Sequence, residues 1–463
     1  MGRFQDFVTQ NAVKRWAVDH FSGARRQMAR VYARERALVF GPAADVETYQ
    51  EQQLRQLAQA AQGAPYWRRV LSSLGKPASA VSLADLVRLP FLTKDLLRQA
   101  TGDLLIPGAK GVYENFSGGS TGIPVRFFQD ARYKVHMSVS TRLCNEMAGA
   151  FPGARVAKLW GAPQDMRQIT GPAGRTKLWM LNQIYLDTFD MGADRMAAYH
   201  RQLTEFQPDL IQAYASSIHL LAKYLRRNGI QPTYPRRGII SAAERLSPQM
   251  REEIESVFPA RVFDRYGSRE VSAIAAECAH HQGLHIHSPS YIVETIDPAT
   301  GRNVHGEVGE IVITVLNNYA MPFIRYRIGD MGILEQGPCA CGRTSPRLRQ
   351  IIGRTSDNFV LGDGKIIHGE FFTHLFYGRP GVAQFQFEQE AREAFKLRVV
   401  PAEDWDEPVA RSLEHDIRQT IGAKPRFSIE ICDEIPKTAS GKFRFTKSMV
   451  DLEDALQGGG PRL

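Results

Sequence analysis

Between Val125 and Phe258 the chain alternates short runs of branched and aromatic residues with helix-like stretches, and this alternation limits the possible folds more than any other feature. "VRFFQD", "RVAKLWG" and "PDLIQAYA" read as strands followed by helical runs, such as Ile218 to Asn228. "RRGIISAAERLSPQMREEIESVF" gives strand, loop and helix in one piece. Strands joined through a helix lie parallel, so the pattern predicts α/β layers. From His285 the texture becomes β, in "SYIVETID", "GEIVITVL" and "DMGILEQ", with turn sequences such as "DPATGR" between them. Near Gly353 it changes again. Upstream, Ala44 to Leu105 reads as helical, with Thr93 as N-cap of a helix from Lys94 to Ala100.

The predicted fold class is α/β plus α+β: a large N-terminal multilayer α/β region with a β-rich subdomain, and a small mobile C-terminal α+β domain. The expected divisions are a basic helical extension over 1–43, the large domain over 44–353, the small domain over 354–457 and a flexible tail over 458–463. A chain of 463 residues is too long for one core. Its 43% hydrophobic and 23% charged content suit a soluble globular protein, and it lacks both a long apolar run and a signal-peptide core. The expectation is a cytoplasmic protein without a transmembrane segment. Five cysteines (Cys144, Cys278, Cys339, Cys341, Cys432) are too few, and odd in number, for a disulfide framework.

The net charge of +9 is uneven, because residues 1–36 carry eight Lys and Arg against Asp6, Asp19 and Glu35. Ala24, Met28, Val31 and Tyr32 fall at helical spacing, which predicts an amphipathic helix with a basic face. That face is either solvated or in peripheral contact with an anionic surface. No zinc finger, recognition helix or aromatic RNA-binding signature points to nucleic acid.

Five short segments carry candidate chemistry. "ENFSGGSTGIPVRFF" concentrates bare backbone and hydroxyls at Ser117, Gly118, Gly119, Ser120, Thr121 and Gly122, a composition suited to cradling phosphate oxygens and equally to a flexible turn. It is not a P-loop, since Ile123 rather than lysine follows the last glycine. "RVFDRYGSREVS" puts Tyr266, Gly267 and Glu270 after a strand, and "PFIRYRIGD" ends in Asp330 after a strand and turn. "IIGRTSDNFVLGDG" holds Arg354 at the change of texture, and "EIPKTASGKFRF" sets Lys442 in a loop.

In this order, across about 325 residues, the segments resemble those of the adenylate-forming superfamily, which includes acyl-CoA synthetases, peptide-synthetase adenylation domains and luciferases. "PFLTKDLLR", "FSGGSTGIPV", "SAAERLSPQMREEIESVF", "AAEC" and "SGKFRF" look most like the phenylacetate-CoA ligase branch and its capsular-polysaccharide-biosynthesis relatives. The resemblance implies an enzyme that uses ATP and Mg2+ to turn a small-molecule carboxylic acid into an acyl adenylate, then transfers the acyl group to a thiol, usually of coenzyme A. It implies that residues 117–122 hold the β- and γ-phosphates, with Arg126 a substitute for the missing lysine. Backbone from Ser241, Ala242, Ala243 and Glu244 would line the adenine pocket, with Tyr266 and Gly267 against the base. Asp330 would bind the ribose, with Arg327 bracing the nucleotide end and Arg354 a further nucleotide-binding residue. Glu270 would hold magnesium, and Lys442 would bridge carboxylate and α-phosphate. Arg269 stands where relatives carry Thr or Ser, either gripping the α-phosphate or blocking it. Ser356 stands at the expected acidic hinge, with Asp357 next.

The resemblance also implies a structural zinc between "ECAHHQGLHIH" and "GPCACGRTSPRL", with Cys278, Cys339 and Cys341 as ligands; His281, in C-x-x-H spacing with Cys278, is the expected fourth ligand, with His285 as the alternative, and buried reduced cysteines are the other reading. Trp160 and Tyr214 are candidate walls of the acid pocket. Two other functions stay open: adenylation followed by transfer to an amine or sugar, and a degenerate nucleotide-binding protein.

Overall fold

The computed structural model describes residues 23–116, 125–160, 171–188, 193–354, 358–362, 366–368, 372, 375–376, 379, 381–436 and 444–450. The chain divides into two units. One comprises Met1–Glu294, Val312–Ile328 and Leu334–Gln350; the other comprises Thr295–Ile311, Gly329–Ile333 and Ile351–Leu463. The expected α/β plus α+β class is what the fold has.

Strands β1 (Tyr113–Phe116) and β2 (Arg126–Gln129) form an antiparallel hairpin. "VRFFQD" therefore does not enter the parallel sheet, as the alternation predicted, because its backbone pairs are taken by Tyr113–Phe116. Strands β3 (Val156–Leu159), β4 (Gln183–Leu186), β5 (Leu210–Tyr214), β6 (Gly238–Ala242) and β7 (Arg261–Ser268) lie parallel, in the spatial order β4-β3-β5-β6-β7. The expected parallel core is thus present without "VRFFQD", and it includes β4, a strand the sequence pattern did not single out.

Beyond β7 the sheet continues antiparallel through β8 (Ser272–Glu277), β9 (Leu284–Ile286) and β13 (Arg347–Arg354), reaching eleven strands with β10 (Tyr291–Ile296), β11 (Val308–Val315) and β12 (Tyr326–Glu335). Helices Ala193–Phe206, Ala215–Arg227 and Pro248–Glu255 pack on the parallel strands through a core that includes Leu203, Ile211, Ile218, Leu221, Ile239, Ile254 and Val262, all fully buried. Strands β5 and β6 are buried along their whole length, which explains why they lack the apolar–polar alternation of a half-exposed strand. Caps set the helix starts: Thr93 Oγ1 accepts from Leu96 N at 3.2 Å, and Ser247 Oγ from Met250 N at 3.1 Å.

The first described helix, Gly23–Phe40, turns Met28, Val31 and Tyr32 onto Val135, Val139 and Leu143 of helix Ala131–Met147. Glu35, on the same face, is fully buried and accepts hydrogen bonds from His136 Nδ1 at 2.6 Å and His287 Nε2 at 2.7 Å. Helices Ala43–Ala61 and Pro65–Ser72 begin a long segment whose partners come late in the chain. Gln50 Nε2 donates to Ser288 O at 2.8 Å, Trp67 Nε1 to Pro322 O at 3.0 Å, Leu92 N to Arg325 O at 3.0 Å and Ile106 N to Ala320 O at 2.8 Å. No helix among the described residues is long and apolar enough to cross a membrane.

In the second unit, β16 (Val382–Ala391), β17 (Ala394–Pro401), β18 (Arg426–Ile431) and β19 (Thr446–Ser448) form a sheet in the order β18-β17-β16-β19, and β14 (Asn358–Val360) pairs with β15 (Ile366–His368). Phe359, Phe372, Phe376, Phe385, Phe387 and Phe395 form its aromatic core, against which helix Glu407–Ile421 buries Leu413, Ile417 and Ile421.

Candidate functional site

Parallel strands deliver their C-terminal ends to one edge, where backbone and side chains are free to meet a ligand. In β5, β6 and β7, Tyr214, Ala242 and Arg265 are register partners at that edge. Ser241 is fully buried, and its Oγ has no hydrogen-bond partner among the described residues. Ala243 follows at φ 68°, a left-handed conformation that costs an alanine about 1–2 kcal/mol and breaks the strand sharply. The Glu244 carboxylate accepts from Ser216 N at 2.8 Å, in the first turn of helix Ala215–Arg227 where a negative charge is favoured. Trp160, after β3, stacks on Tyr214 with ring centroids 4.3 Å apart.

Tyr266 and Gly267 lie within β7 rather than after it, and the ladder to β8 shifts register between them. A Cβ on Gly267 would sit 2.1 Å from Ser272 O, so only glycine allows this close approach. Arg269 and Glu270 occupy the turn to β8, and Glu270 is buried. Three groups hold the turn. Gln129 Nε2 donates to Arg269 O at 3.3 Å and Glu270 O at 3.1 Å, the Tyr133 hydroxyl donates to Glu270 O at 3.4 Å, and the Tyr326 hydroxyl donates to Glu270 Oε1 at 3.3 Å. Gln129 is a residue that sequence reasoning missed. Its neighbour Asp130 accepts from Tyr133 N, Tyr319 N and Ala320 N at 2.7, 2.8 and 3.0 Å, fixing the end of β2.

Asp330 is buried inside β12, not beyond it, because the strand that begins at Tyr326 runs on to Glu335. Arg327 N donates to Leu92 O at 2.9 Å, and its guanidinium lies 5.7 Å from the Phe91 ring centroid. Arg325 has a structural role, bonded to both Glu294 oxygens at 3.1 and 3.0 Å and to Leu89 O at 2.9 Å. Arg126 pairs with Glu114 across the β1–β2 hairpin, which engages the guanidinium suggested as a lysine substitute. Ser117 to Gly122, Ser356, Asp357, Lys442 and the Arg354 side chain lie outside the described residues.

The cysteine loops converge. Ligand atoms of Cys278, His285, Cys339 and Cys341 all lie within 4.8 Å of one another. Cys278 Sγ is 3.8 Å from Cys339 Sγ, and Cys341 Sγ is 3.4 Å from His285 Nε2. A tetrahedral zinc with bonds of about 2.1–2.3 Å needs ligand separations of roughly 3.5–3.8 Å, which the Cys278–Cys339 and Cys341–His285 pairs match, and three sulfurs with one imidazole are a donor set suited to zinc. His285 Nδ1 faces Ser345 Oγ at 3.4 Å, which leaves Nε2 for the cluster. Burial, with Arg343 and Arg347 nearby, pushes the imidazole down to about 4, so it is neutral and can ligate. His281, the first choice from C-x-x-H spacing, does not join. Its backbone turns at φ 50°, and its Nδ1 faces Glu277 at 3.1 Å and Arg251 at 3.0 Å.

The CapK C-terminal domain family matches residues 359–449. Protein CapK of Staphylococcus aureus is 24% identical over 82% of this chain and 84% of its own length. The phenylacetate-coenzyme A ligase of Thermus thermophilus is 28% identical over 69% of this chain and 73% of its own. A crystal structure of 2-hydroxyisobutyryl-CoA ligase in the postadenylation state superposes with a TM-score of 0.70 at 22% identity, covering 91% of this chain and 94% of that one.

Proposed function

We propose that this chain, which belongs to the adenylate-forming superfamily and is related to CapK and the phenylacetate-coenzyme A ligases, is an AMP-forming acid–thiol ligase. The carboxylate oxygen attacks the α-phosphorus of ATP, the bond to the β-phosphate oxygen breaks, and pyrophosphate leaves. The sulfur of coenzyme A then attacks the acyl carbon, the acyl–oxygen bond breaks, AMP departs with the electron pair, and the thiol proton passes to solvent.

The observation that carries this reading is the Tyr326–Glu270 hydrogen bond of 3.3 Å, which ties the "YGSRE" turn to the first residue of the strand that carries Arg327 and Asp330. Glu270 spends one hydrogen bond on Tyr326 and keeps acceptor capacity for a hard cation; bound Mg2+ would neutralise phosphate charge there. The backbone of Ser241 to Glu244 and the ring of Tyr266 are the candidate adenine contacts, and Asp330 the ribose acceptor. Ser117 to Gly122 would cradle the outer phosphates, with Arg327 bracing the nucleotide end and Arg354 a further nucleotide contact. Lys442 would stabilise charge at the α-phosphate, supplied by a small domain that alternates between the two half-reactions. Arg269 would contact the α-phosphate. If Arg269→Thr bound ATP more tightly and turned over faster than the parent, that role would be wrong. Trp160 and Tyr214 would wall the acid pocket.

Zinc on Cys278, His285, Cys339 and Cys341 would be structural, since four protein ligands leave no open coordination position. The test of the activity is pyrophosphate release across a panel of acids, with and without coenzyme A, together with mass spectrometry for the thioester. Acid-dependent release without thioester would move the acceptor to an amine or sugar. No acid-dependent release would refute the ligase reading.

A further inference from the structure

A cavity of about 410 Å³ lies among helices Gly23–Phe40, Ala43–Ala61 and Ala131–Met147, and no step of the proposed reaction uses it. Its volume is in the range of about 300–1,000 Å³ that small-molecule sites occupy. Arg30, Arg34 and Arg132 line it together with Tyr49, Gln53 and His136. Among the described residues none of the three arginines has an ion-pair partner. The buried acids near them are committed elsewhere, Glu35 to His136 and His287, and Asp130 to the backbone N–H groups of Tyr133, Tyr319 and Ala320. The lining therefore presents three cationic side chains and no carboxylate that answers them.

Two of these cations are held in place before any ligand arrives. The Arg34 guanidinium lies 5.0 Å from the Tyr49 ring centroid, and that of Arg132 lies 4.6 Å from the Tyr319 ring while its Nη2 donates to Gln53 Oε1 at 2.8 Å. Arg132 Nε and the Tyr49 hydroxyl are buried and lack a hydrogen-bond partner among the described residues. Burial keeps the Tyr49 phenol protonated, pushed up to about 12, so it remains a donor. Planar guanidiniums fixed on aromatic faces lose little freedom on binding and match the oxygens of a phosphate in pairs. A dianion meets three positive charges better than a carboxylate would.

We propose that this cavity binds a phosphomonoester group, carried either by a soluble phosphorylated metabolite or by a lipid headgroup. Glycerol 3-phosphate and vesicles of phosphatidylcholine with 20% phosphatidic acid present the same group from the two sources, and phosphatidylcholine vesicles alone are the control. Binding to the full-length chain would be followed by calorimetry and by vesicle co-sedimentation. Arg30→Gln/Arg34→Gln changes two exposed side chains that a folded chain tolerates, and Arg132→Gln tests the inner one. Each variant should weaken binding of whichever probe the parent retains by at least about ten-fold, and acid-dependent pyrophosphate release should match the parent. The binding readout stands whether or not the ligase reading does. Glycerol 3-phosphate binding that the substitutions remove supports a soluble ligand, and vesicle binding alone that they remove supports a lipid. No binding to either probe, or binding that survives both variants, overturns the proposal.

Discussion

Replacing Glu35 with alanine should loosen the first helix selectively, and the size of the effect follows from its surroundings. Burial alone would raise this carboxyl, yet hydrogen bonds from His136 and His287 and their charges outweigh burial and hold it at about 2 against an ordinary 4.5. That difference corresponds to roughly 3 kcal/mol of preferential stabilisation of the charged form. Alanine removes it and leaves two buried imidazoles without their acceptor, a loss in the range of about 3–5 kcal/mol known for broken buried pairs. Hydrogen exchange reads this locally: the amides of residues 27–40 should exchange about 10²-fold faster in Glu35→Ala. Glu47→Ala, an exposed acid on the next helix, should change nothing. The sign with pH follows from the depressed value. The contribution is complete above pH 4.5 and disappears as pH falls towards 2, so exchange of these amides in the parent should accelerate over that window once corrected for its intrinsic pH dependence. Acceleration of less than about three-fold in Glu35→Ala at pH 7 would refute the argument, because the triad would then contribute under about 0.7 kcal/mol.

Four further outcomes are expected. Gly267→Ala should cost at least about 2 kcal/mol in urea unfolding and abolish pyrophosphate release, since its methyl meets Ser272 O at 2.1 Å; a stable, active variant would contradict the close approach. Elemental analysis of never-chelated protein should find one zinc per chain, and Cys339→Ser should lower the thermal midpoint more than it lowers turnover of the molecules still folded. Glu270→Gln, which keeps an acceptor for Tyr326 but loses the charge, should raise the Mg2+ concentration needed for half-maximal pyrophosphate release; an unchanged requirement would remove Glu270 from the metal. Lys442→Ala should slow adenylate formation by about 10²–10³ while a supplied acyl adenylate still transfers to thiol near the parental rate, and equal losses in both steps would end the alternation argument.

What the sequence disclosed, and what it hid, divides by distance along the chain. The strand–helix alternation, the β texture after His285 and the Thr93 cap are local signals, and they appear as expected. Pairing is not local. "VRFFQD" has the composition of a core strand, but its partner is Tyr113–Phe116, and nothing in its own residues says so. The choice between His281 and His285 turned on which strand each histidine faces. His285 is the register partner of Arg347, shortly after Cys339 and Cys341, whereas His281 sits in the preceding turn with a carboxylate four residues back. Glu35 entered the sequence reading only as one acid in a basic segment, because its histidines lie 101 and 252 residues away. The hydrophobic face around Val31 and Val39 holds the one available clue, since a carboxylate on such a face needs a partner.

The helical segment over residues 43–104 has a further consequence, one for biosynthesis. Its backbone and its Trp67 indole are satisfied by Pro322, Arg325 and Ala320, and the Trp67 bond spans 255 residues. At about 5–20 residues per second a ribosome needs roughly 13–50 s to make that intervening chain. During this interval the Trp67 indole and the backbone N–H groups of Leu92 and Ile106 have no partner to meet, so this segment is among the last parts of its unit to be completed, although helix Gly23–Phe40 can already pack on Ala131–Met147. A chain arrested near residue 300 would be expected to hold the β5–β6–β7 layers together while Trp67 stays solvent-exposed, making the nascent N-terminus the natural target of holdase chaperones and proteases.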